Sequence, residues 1–365
     1  MKPEILYVNA RFLLEPITGL QRMGRQIIQE FDRMLAEGEI DRNRRKIRLL
    51  LPAKPKDAPQ YDHLERWIRG PVGSHLWEQS LLPFRAKGFL LNLKNTAPVM
   101  GGPMAVAIHD LQTFAKPEIF SKKLVRLYQW ILPRAAKRAR WVFTISEHSK
   151  KEIVRWLGIP EEKIVVISTG HEHILDIESE PEILQRHEIE PGSYLLAVSS
   201  MNPNKNFAAV PKALEIGDLG DIPFVIAGGM NPTVFEQSTQ TTLPPGSIHV
   251  GRVSDGELRA LYENALGFIF PSFYEGFGLP PLEAMALGCP VISSHTSSLP
   301  EVCGNAALYC DPYDHADIAR QILRLAHDKP LRQELSSKGK IRAAGFRWRD
   351  GARKIWQYVE PELSK

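Results

Sequence analysis

Ser272-Phe273-Tyr274-Glu275-Gly276-Phe277-Gly278-Leu279-Pro280-Pro281-Leu282-Glu283-Ala284-Met285-Ala286 holds two glutamates eight residues apart, glycines beside the first, and a helix start between them. Gly276 and Gly278 let the backbone approach a ligand with no Cβ in the way. Pro280 and Pro281 suit the first turn of a helix, where a missing N–H costs little. The N-terminus of that helix offers N–H groups and a positive dipole end, a seat for a phosphate or sugar oxygen. Glu275 then sits in the loop before the helix and Glu283 in its early turns. Both carboxylates can face one crevice, and ionised carboxylates accept strongly from sugar and ribose hydroxyls.

Working outward, short apolar runs alternate with helical patterns, the mark of parallel sheets covered by helices on both faces. Strands are expected at Ile5–Asn9, Lys46–Leu51, Phe89–Leu93, Met104–His109, Trp141–Ile145 and Ile164–Ile167. A second series is expected at Tyr194–Val198, Phe224–Ala227, Ile248–Val250, Gly267–Phe270 and Pro290–Ser293. Helices are expected at Gln21–Leu35, Lys122–Arg138, Glu147–Leu157, Asn206–Ile216, Asp255–Asn264, Leu279–Leu287, Ala316–His327 and Leu331–Ala343, with a last one over Gly351–Val359. The chain's 365 residues exceed one core of ordinary size. The acidic stretch 171–191 carries no clear strand and marks the break. Two doubly wound halves joined there leave a cleft, and ligands of such sheets bind beyond the carboxyl ends of the strands.

Other segments place chemistry at strand ends. Lys205 lies between the strand Tyr194–Val198 and a helix, well set to meet a pyrophosphate. Gly19 precedes a helix after the first strand, where close approach of phosphate oxygens is allowed. His109 ends the strand Met104–His109, positioned to donate to a sugar hydroxyl or to receive a proton near neutral pH. Arg252 and Val253 follow a strand and open a helix for which Ser254 or Asp255 is the N-cap.

Bulk properties set limits. Hydrophobic residues make up 43% and charged residues 24%, ordinary for a soluble globular protein. No run of about 18 apolar residues occurs, and the N-terminus does not read as a secretion signal, so a cytoplasmic location is expected. Cys289, Cys303 and Cys310 form no C-x-x-C pair, and buried free thiols are expected. No metal-ligand spacing and no Asp-x-Asp triplet is present, so no required metal is expected. The net charge of +4 hides an asymmetry. Residues 1–170 carry 29 Lys and Arg against 17 Asp and Glu, a balance of +12, and the remainder has a balance of −8. A basic first half fits an anionic partner. No nucleic-acid motif accompanies it, so nucleic acid is not expected; an anionic membrane surface or a lipid-phosphate acceptor fits. From Phe120 to Ser146 seven cations and no acid interleave with apolar residues. This segment reads either as a helix lying on an anionic membrane or as a packed domain helix with a solvated basic face.

The stretch 272–286 resembles the signature of retaining glycosyltransferase family 4, of GT-B fold, and the resemblance extends over nearly the whole chain. It implies two Rossmann-like domains facing a central cleft. These are an acceptor-side domain over 1–175, a nucleotide-sugar domain over 190–345, and a helix over 346–365 crossing back to the first. It further implies that Glu275 contacts the transferred sugar, that Glu283 holds the ribose, and that Lys205 meets the donor diphosphate. Gly19, Gly276, Phe277, Gly278 and Leu279 would complete the donor contacts. His109 corresponds to the family's active-site histidine, and the loop of Arg252 and Val253 would pass the base. Many members carry an arginine where this chain has Ser200, so either the diphosphate has one cation fewer or Arg252 or Arg22 substitutes. The implied reaction transfers a hexose, with retention, from a nucleotide diphosphate sugar to an acceptor hydroxyl on a lipid-linked or cell-surface polysaccharide. A mannose-type sugar carried on GDP is the donor expected from likeness to polysaccharide-assembly enzymes, with UDP and dTDP sugars open. A GT-B epimerase or phosphorylase, or a non-catalytic sugar-nucleotide-binding component, remains an alternative.

Overall fold

The computed structural model describes residues 3–55, 59–68, 70, 75–198, 202–219, 221–229 and 247–365. The chain divides into two compact units: 1–115, 125–169 and 348–365 form the first, and 116–124 and 170–347 the second. The first unit ends earlier than residue 175, because the helix Glu172–Leu175 packs with the second unit's helix Asp255–Glu263.

Unit 1 holds β1 (Glu4–Asn9), β2 (Arg45–Leu51), β3 (Glu65–Ile68), β4 (Leu90–Asn92), β5 (Met104–Ala107), β6 (Trp141–Thr144) and β7 (Ile164–Val166). They form one parallel sheet in the order β3-β2-β1-β4-β5-β6-β7. Register is set by apolar pairs such as Val8 opposite Leu49 on one side and Leu91 on the other. Unit 2 holds β8 (Leu195–Val198), β9 (Phe224–Ala227), β10 (Ser247–Gly251), β11 (Gly267–Phe270), β12 (Val291–Ser294) and β13 (Ala307–Cys310), in the parallel order β10-β9-β8-β11-β12-β13. Central strands such as Met104–Ala107 and Gly267–Phe270 are buried at every residue. A parallel strand covered by helices on both faces needs that continuous apolar character.

In each sheet the order reverses once, between β1 and β4 and between β8 and β11. There the loops leaving the strand ends turn to opposite sides and open a crevice.

Helix ends follow local chemistry. Ser146 caps the helix Glu147–Leu157 by accepting from Ser149 N at 3.0 Å, and Gly158 closes it in the left-handed region at φ 62°. Ser254, rather than Asp255, caps the helix Asp255–Glu263 through a complete capping box with Glu257. The helix Lys122–Arg138 buries Ile131, Leu132, Ala135 and Ala136 in unit 1's core. Its cations Lys122, Lys123, Arg126, Arg134 and Lys137 stay exposed, as does Trp130.

The last helix, Trp348–Leu363, packs on the helix Gly19–Ala36. Phe31 and Trp356 meet edge to face at 6.1 Å. Arg349 reaches Glu30 at 3.1 Å and Glu39 at 2.6 Å. Gly351 lies hard against the main chain of Ser168, so that a Cβ there would run into the Ser168 carbonyl oxygen. Gly351→Ala is therefore expected to destabilise the protein by about 1–3 kcal/mol through overpacking against backbone. A urea midpoint that falls for Gly351→Ala but not for the exposed Gln357→Ala checks this, and equal midpoints would refute it.

Candidate functional site

The crevice of unit 2 is built from three loops at the carboxyl ends of β8, β11 and β12. The chain leaving β8 passes through 199–201, so Ser200 lies outside the described residues. It then makes a tight 3-10 turn over Pro203–Lys205. Asn202 shapes the turn by accepting from Asn204 N at 2.9 Å, and Asn206 closes it at φ 56°, donating to Pro312 O at 2.7 Å. Asparagine tolerates that left-handed region better than most residues.

This turn is stitched to the loop after β11. Phe273 N donates to Asn204 O at 2.9 Å, and Asn204 Nδ2 donates to Tyr274 O at 2.5 Å. The two loops are thereby held in register, and Lys205 Nζ comes 2.7 Å from Glu275 Oε1 and 5.0 Å from the centre of the Phe270 ring. Both charged side chains are largely buried, at 14% and 11% exposure. The structure thus brings together the lysine and the glutamate to which the sequence assigns separate duties. An ammonium has three donors, so one bond to Glu275 leaves two for a ligand oxygen.

The loop after β12 forms a rack of hydroxyls beneath the stretch 272–278. Ser294 and Thr296 donate to Ser272 O at 2.6 and 3.0 Å. Ser297 Oγ accepts from Glu275 N at 2.8 Å. Ser298, fully buried, bonds both Glu275 O and Phe277 O at 3.0 and 2.7 Å. Sequence reading did not pick out this rack, although Ser293-Ser294-His295-Thr296-Ser297-Ser298 at a strand's carboxyl end is a visible signal.

Gly278 then turns at φ 120°, with Leu299 Cδ2 only 2.7 Å from where a Cβ would lie, so glycine is required there on both grounds. Gly276 and Phe277 are buried in the same turn, and Phe277 packs edge to face on Phe346 at 5.8 Å. The helix Leu279–Ala286 starts with Pro in its first turn and has no side-chain cap. Pro280 and Pro281 carry no N–H and Leu282 N donates to Gly278 O at 3.2 Å, so Leu279 supplies the N–H left at the start of this helix.

Glu283 takes a different setting. It is 4% exposed, with Oε1 2.8 Å from His173 Nε2 and Oε2 accepting from Tyr262 OH at 3.2 Å. His173 is 5% exposed and arrives on the short helix Glu172–Leu175, where the chain enters unit 2. Neither partner stood out in sequence, because each lies far from Glu283 along the chain and inside an unremarkable pattern. A carboxylate has about four acceptor positions, so two bonds leave capacity for a further hydroxyl.

Arg252 is exposed, and its Nε lies 2.5 Å from where a Cβ on Gly229 would sit, beyond the end of β9. Val253 is half-buried beside it. Among the described residues no three His, Cys, Asp or Glu side chains gather as ligands for a metal ion.

In unit 1, Gly19 opens its helix exposed, with nothing within 4 Å of where a Cβ would lie. His109 is 2% exposed. Its backbone N donates to Asn95 Oδ1 at 2.8 Å and its Nε2 lies 2.9 Å from Leu93 O. A carbonyl only accepts, so Nε2 carries the proton and Nδ1 is the ring's acceptor. Burial pushes its pKa down to about 4, opposed by the bond to Leu93. The sequence expectation of proton uptake near neutral pH is corrected here: the ring stays neutral at pH 7, because a buried imidazolium would lose its hydration.

Two doubly wound parallel sheets, each with polar side chains gathered where its strand order reverses, define a protein of GT-B fold. Residues 179–342 match the family described as glycosyl transferases group 1, and residues 31–173 match glycosyltransferase family 4. Together the two matches cover most of the chain and support a glycosyltransferase of family 4. It is 33% identical over 249 residues to O-antigen chain mannosyltransferase B of Escherichia coli, over 66% of this chain and 65% of that protein. It is 31% identical over 228 residues to the serotype-specific mannosyltransferase WbdA of the same organism, over 59% of this chain and 28% of WbdA. The chain thus spans less than two thirds of either relative. Sucrose-phosphate synthase from Thermosynechococcus elongatus shares the fold at a TM-score of 0.75 and 15% identity, with all of both chains covered.

Two outcomes follow from this geometry. His109, followed by NMR of the ring, should stay neutral down to about pH 5, and protonation near pH 6.5 would contradict the burial argument. The depressed pKa has a definite linkage sign. Above pH 6.5 neither folded nor unfolded chain is protonated there and His109 has no effect. As pH falls from 6.5 towards 4 the unfolded chain takes up the proton first, so stability declines through that window. Separately, Ser298→Ala removes the shared donor of two buried carbonyls and should cost about 1–3 kcal/mol; an unchanged thermal midpoint would argue against the rack.

Proposed function

We propose that the protein is a retaining hexosyltransferase that moves a mannose-type sugar from a nucleotide diphosphate donor to a hydroxyl of a lipid-linked or cell-surface polysaccharide. The observation that carries this reading is the Lys205–Glu275 pair at the reversal between β8 and β11, followed by the uncapped start of the helix Leu279–Ala286. The O-antigen mannosyltransferases to which the chain is similar support the sugar and the acceptor class, and a GDP-linked donor is the corresponding choice.

In this reading the donor diphosphate lies against Lys205 and the Leu279 N–H at the positive end of that helix, which stabilise the leaving group as its charge grows. Glu275 accepts from hydroxyls of the transferred sugar and orients it. Glu283 uses its remaining acceptor capacity on a ribose hydroxyl, with His173 and Tyr262 holding the carboxylate in place. Arg252 and Val253 line the path of the base, and Gly276, Phe277, Gly278 and Leu279 bring backbone close to the donor. Gly19 leaves room for close approach of a donor phosphate oxygen at the start of its helix, and neutral His109 offers Nδ1 as an acceptor for a substrate hydroxyl. Departing diphosphate oxygen takes the acceptor's proton on the same face of the sugar, which keeps the anomeric configuration. Charge on the diphosphate is met by Lys205 and the helix end, so no divalent metal is required.

The exposed cations of the helix Lys122–Arg138 suit the anionic surface on which a lipid-linked acceptor resides. No helix among the described residues is long and apolar enough to cross a membrane.

Calorimetry with GDP, UDP, dTDP and ADP, followed by turnover of the matching mannose or glucose donors in EDTA, tests the reading. Selective binding of one nucleotide and EDTA-resistant transfer are expected. Glu275→Gln should lower kcat roughly 100-fold or more with the nucleotide Kd little changed. Hydrolysis or epimerisation without an acceptor alcohol, or no nucleotide binding at all, would overturn it.

A further inference from the structure

The reversal in the sheet of unit 1, between β1 and β4, carries a second polar cluster that the donor chemistry does not use. Asn9 and Asn92 end the two strands, and Asn9 Nδ2 donates to Asn92 Oδ1 and to Glu78 Oε2, each at 3.1 Å. Arg11, two residues past β1 and 5% exposed, lies 3.2 Å from Glu15 and 3.4 Å from Glu78. Glu15 is also bonded by Lys94, which follows β4, and by Gln21 at 2.6 Å. Burial alone would raise the Glu78 carboxyl; His75 and the Arg11 charge outweigh it and hold it at about 2. With the His75 ring unprotonated, the cluster is two cations, Arg11 and Lys94, against two carboxylates, Glu15 and Glu78, a net charge of zero.

Two further facts separate this from a closed structural network. Arg11 Nη2 is buried and has no hydrogen-bond partner among the described residues, although a buried guanidinium donor without a partner is costly. Glu15 and Lys94 reach the surface, with side chains 24% and 15% exposed. The reversal of a doubly wound sheet is also where such sheets take ligands. A net-neutral set of strong donors and acceptors does not select an anion. It matches a polyol, whose hydroxyls donate to carboxylates and accept from guanidinium and ammonium groups.

We propose that Arg11, Glu15 and Lys94 form a subsite for an uncharged sugar unit of the acceptor, so that the residue receiving the hexose is a neutral saccharide. This rests on the glycosyltransferase reading for its biological role, but the binding itself does not. The basic balance of the first half is then spent elsewhere on the unit, and the acceptor's phosphate, if it has one, lies away from the reacting sugar.

The test uses methyl α-D-mannopyranoside as probe, with mannose 6-phosphate as its anionic counterpart, and reads binding to the full chain by saturation-transfer NMR. Methyl mannoside should bind, and at least five-fold more weakly to Glu15→Gln and to Lys94→Met, while the Kd for the preferred nucleotide stays within two-fold as a control for folding. Absent binding to the unaltered protein, unchanged binding in both variants, or tighter binding of mannose 6-phosphate than of the neutral glycoside would each overturn the proposal. The nucleotide panel fails or succeeds independently, so loss of the donor reading and loss of this subsite are told apart.

Discussion

A parallel sheet whose strand order reverses leaves two adjacent strand ends with loops departing to opposite sides. At that place the backbone ladder stops serving the chain, and side chains must hold the loops. Both sheets of this protein meet the requirement with asparagine. Asn204 ties the β8 loop to the β11 loop in unit 2, and Asn9 ties β1 to β4 and to Glu78 in unit 1. An amide N–H donates without bringing charge, which lets it tie one segment to the next in a confined space. Everything proposed for this protein's chemistry hangs from those two bridges.

Buried charge gathers beside them, as it also does where Glu30 meets Arg349 and where Arg45 meets Glu360. Lys205 with Glu275, and Arg11 with Glu15 and Glu78, each remove charges from water together, and Glu283 is held by the His173 ring. Pairs of this kind seldom add net stability, because desolvation offsets most of the attraction. Their presence at the sheet reversals is better understood as preorganisation: a carboxylate already fixed by one partner presents its remaining acceptor positions without reordering when a ligand arrives. The hydroxyl rack of Ser294 to Ser298 extends the same logic to the main chain around Glu275.

Most strands were legible because a parallel strand buried on both faces must be apolar throughout, as in Phe224–Ala227 and Gly267–Phe270. Two were missed. Glu65–Ile68 is an edge strand with three of its four residues exposed, so its composition, Glu-Arg-Trp-Ile, carries no burial signal. Ala307–Cys310 is four residues long and follows a helix end closely. The motif 272–286 announced Glu275, Gly278 and the helix after it, since each needs a specific residue type for a local reason. His173, Tyr262, Asn204 and the rack are ordinary residues locally, and their importance arises from partners 21 to 110 positions away.

What the sequence by itself determined is therefore the local and the periodic: two doubly wound units, the placement of glycine where φ is positive, the capped helices, and resemblance to a family through one dense motif. Only the tertiary structure decided which charges are paired, that His109 is too deeply buried to be protonated near neutrality, and that unit 1 gathers a neutral cluster at its sheet reversal despite a balance of +12 in the first 170 residues. The reason is physical. Periodicity and capping depend on neighbours within a turn or two, whereas pairing and desolvation depend on distances in space that chain separation does not encode.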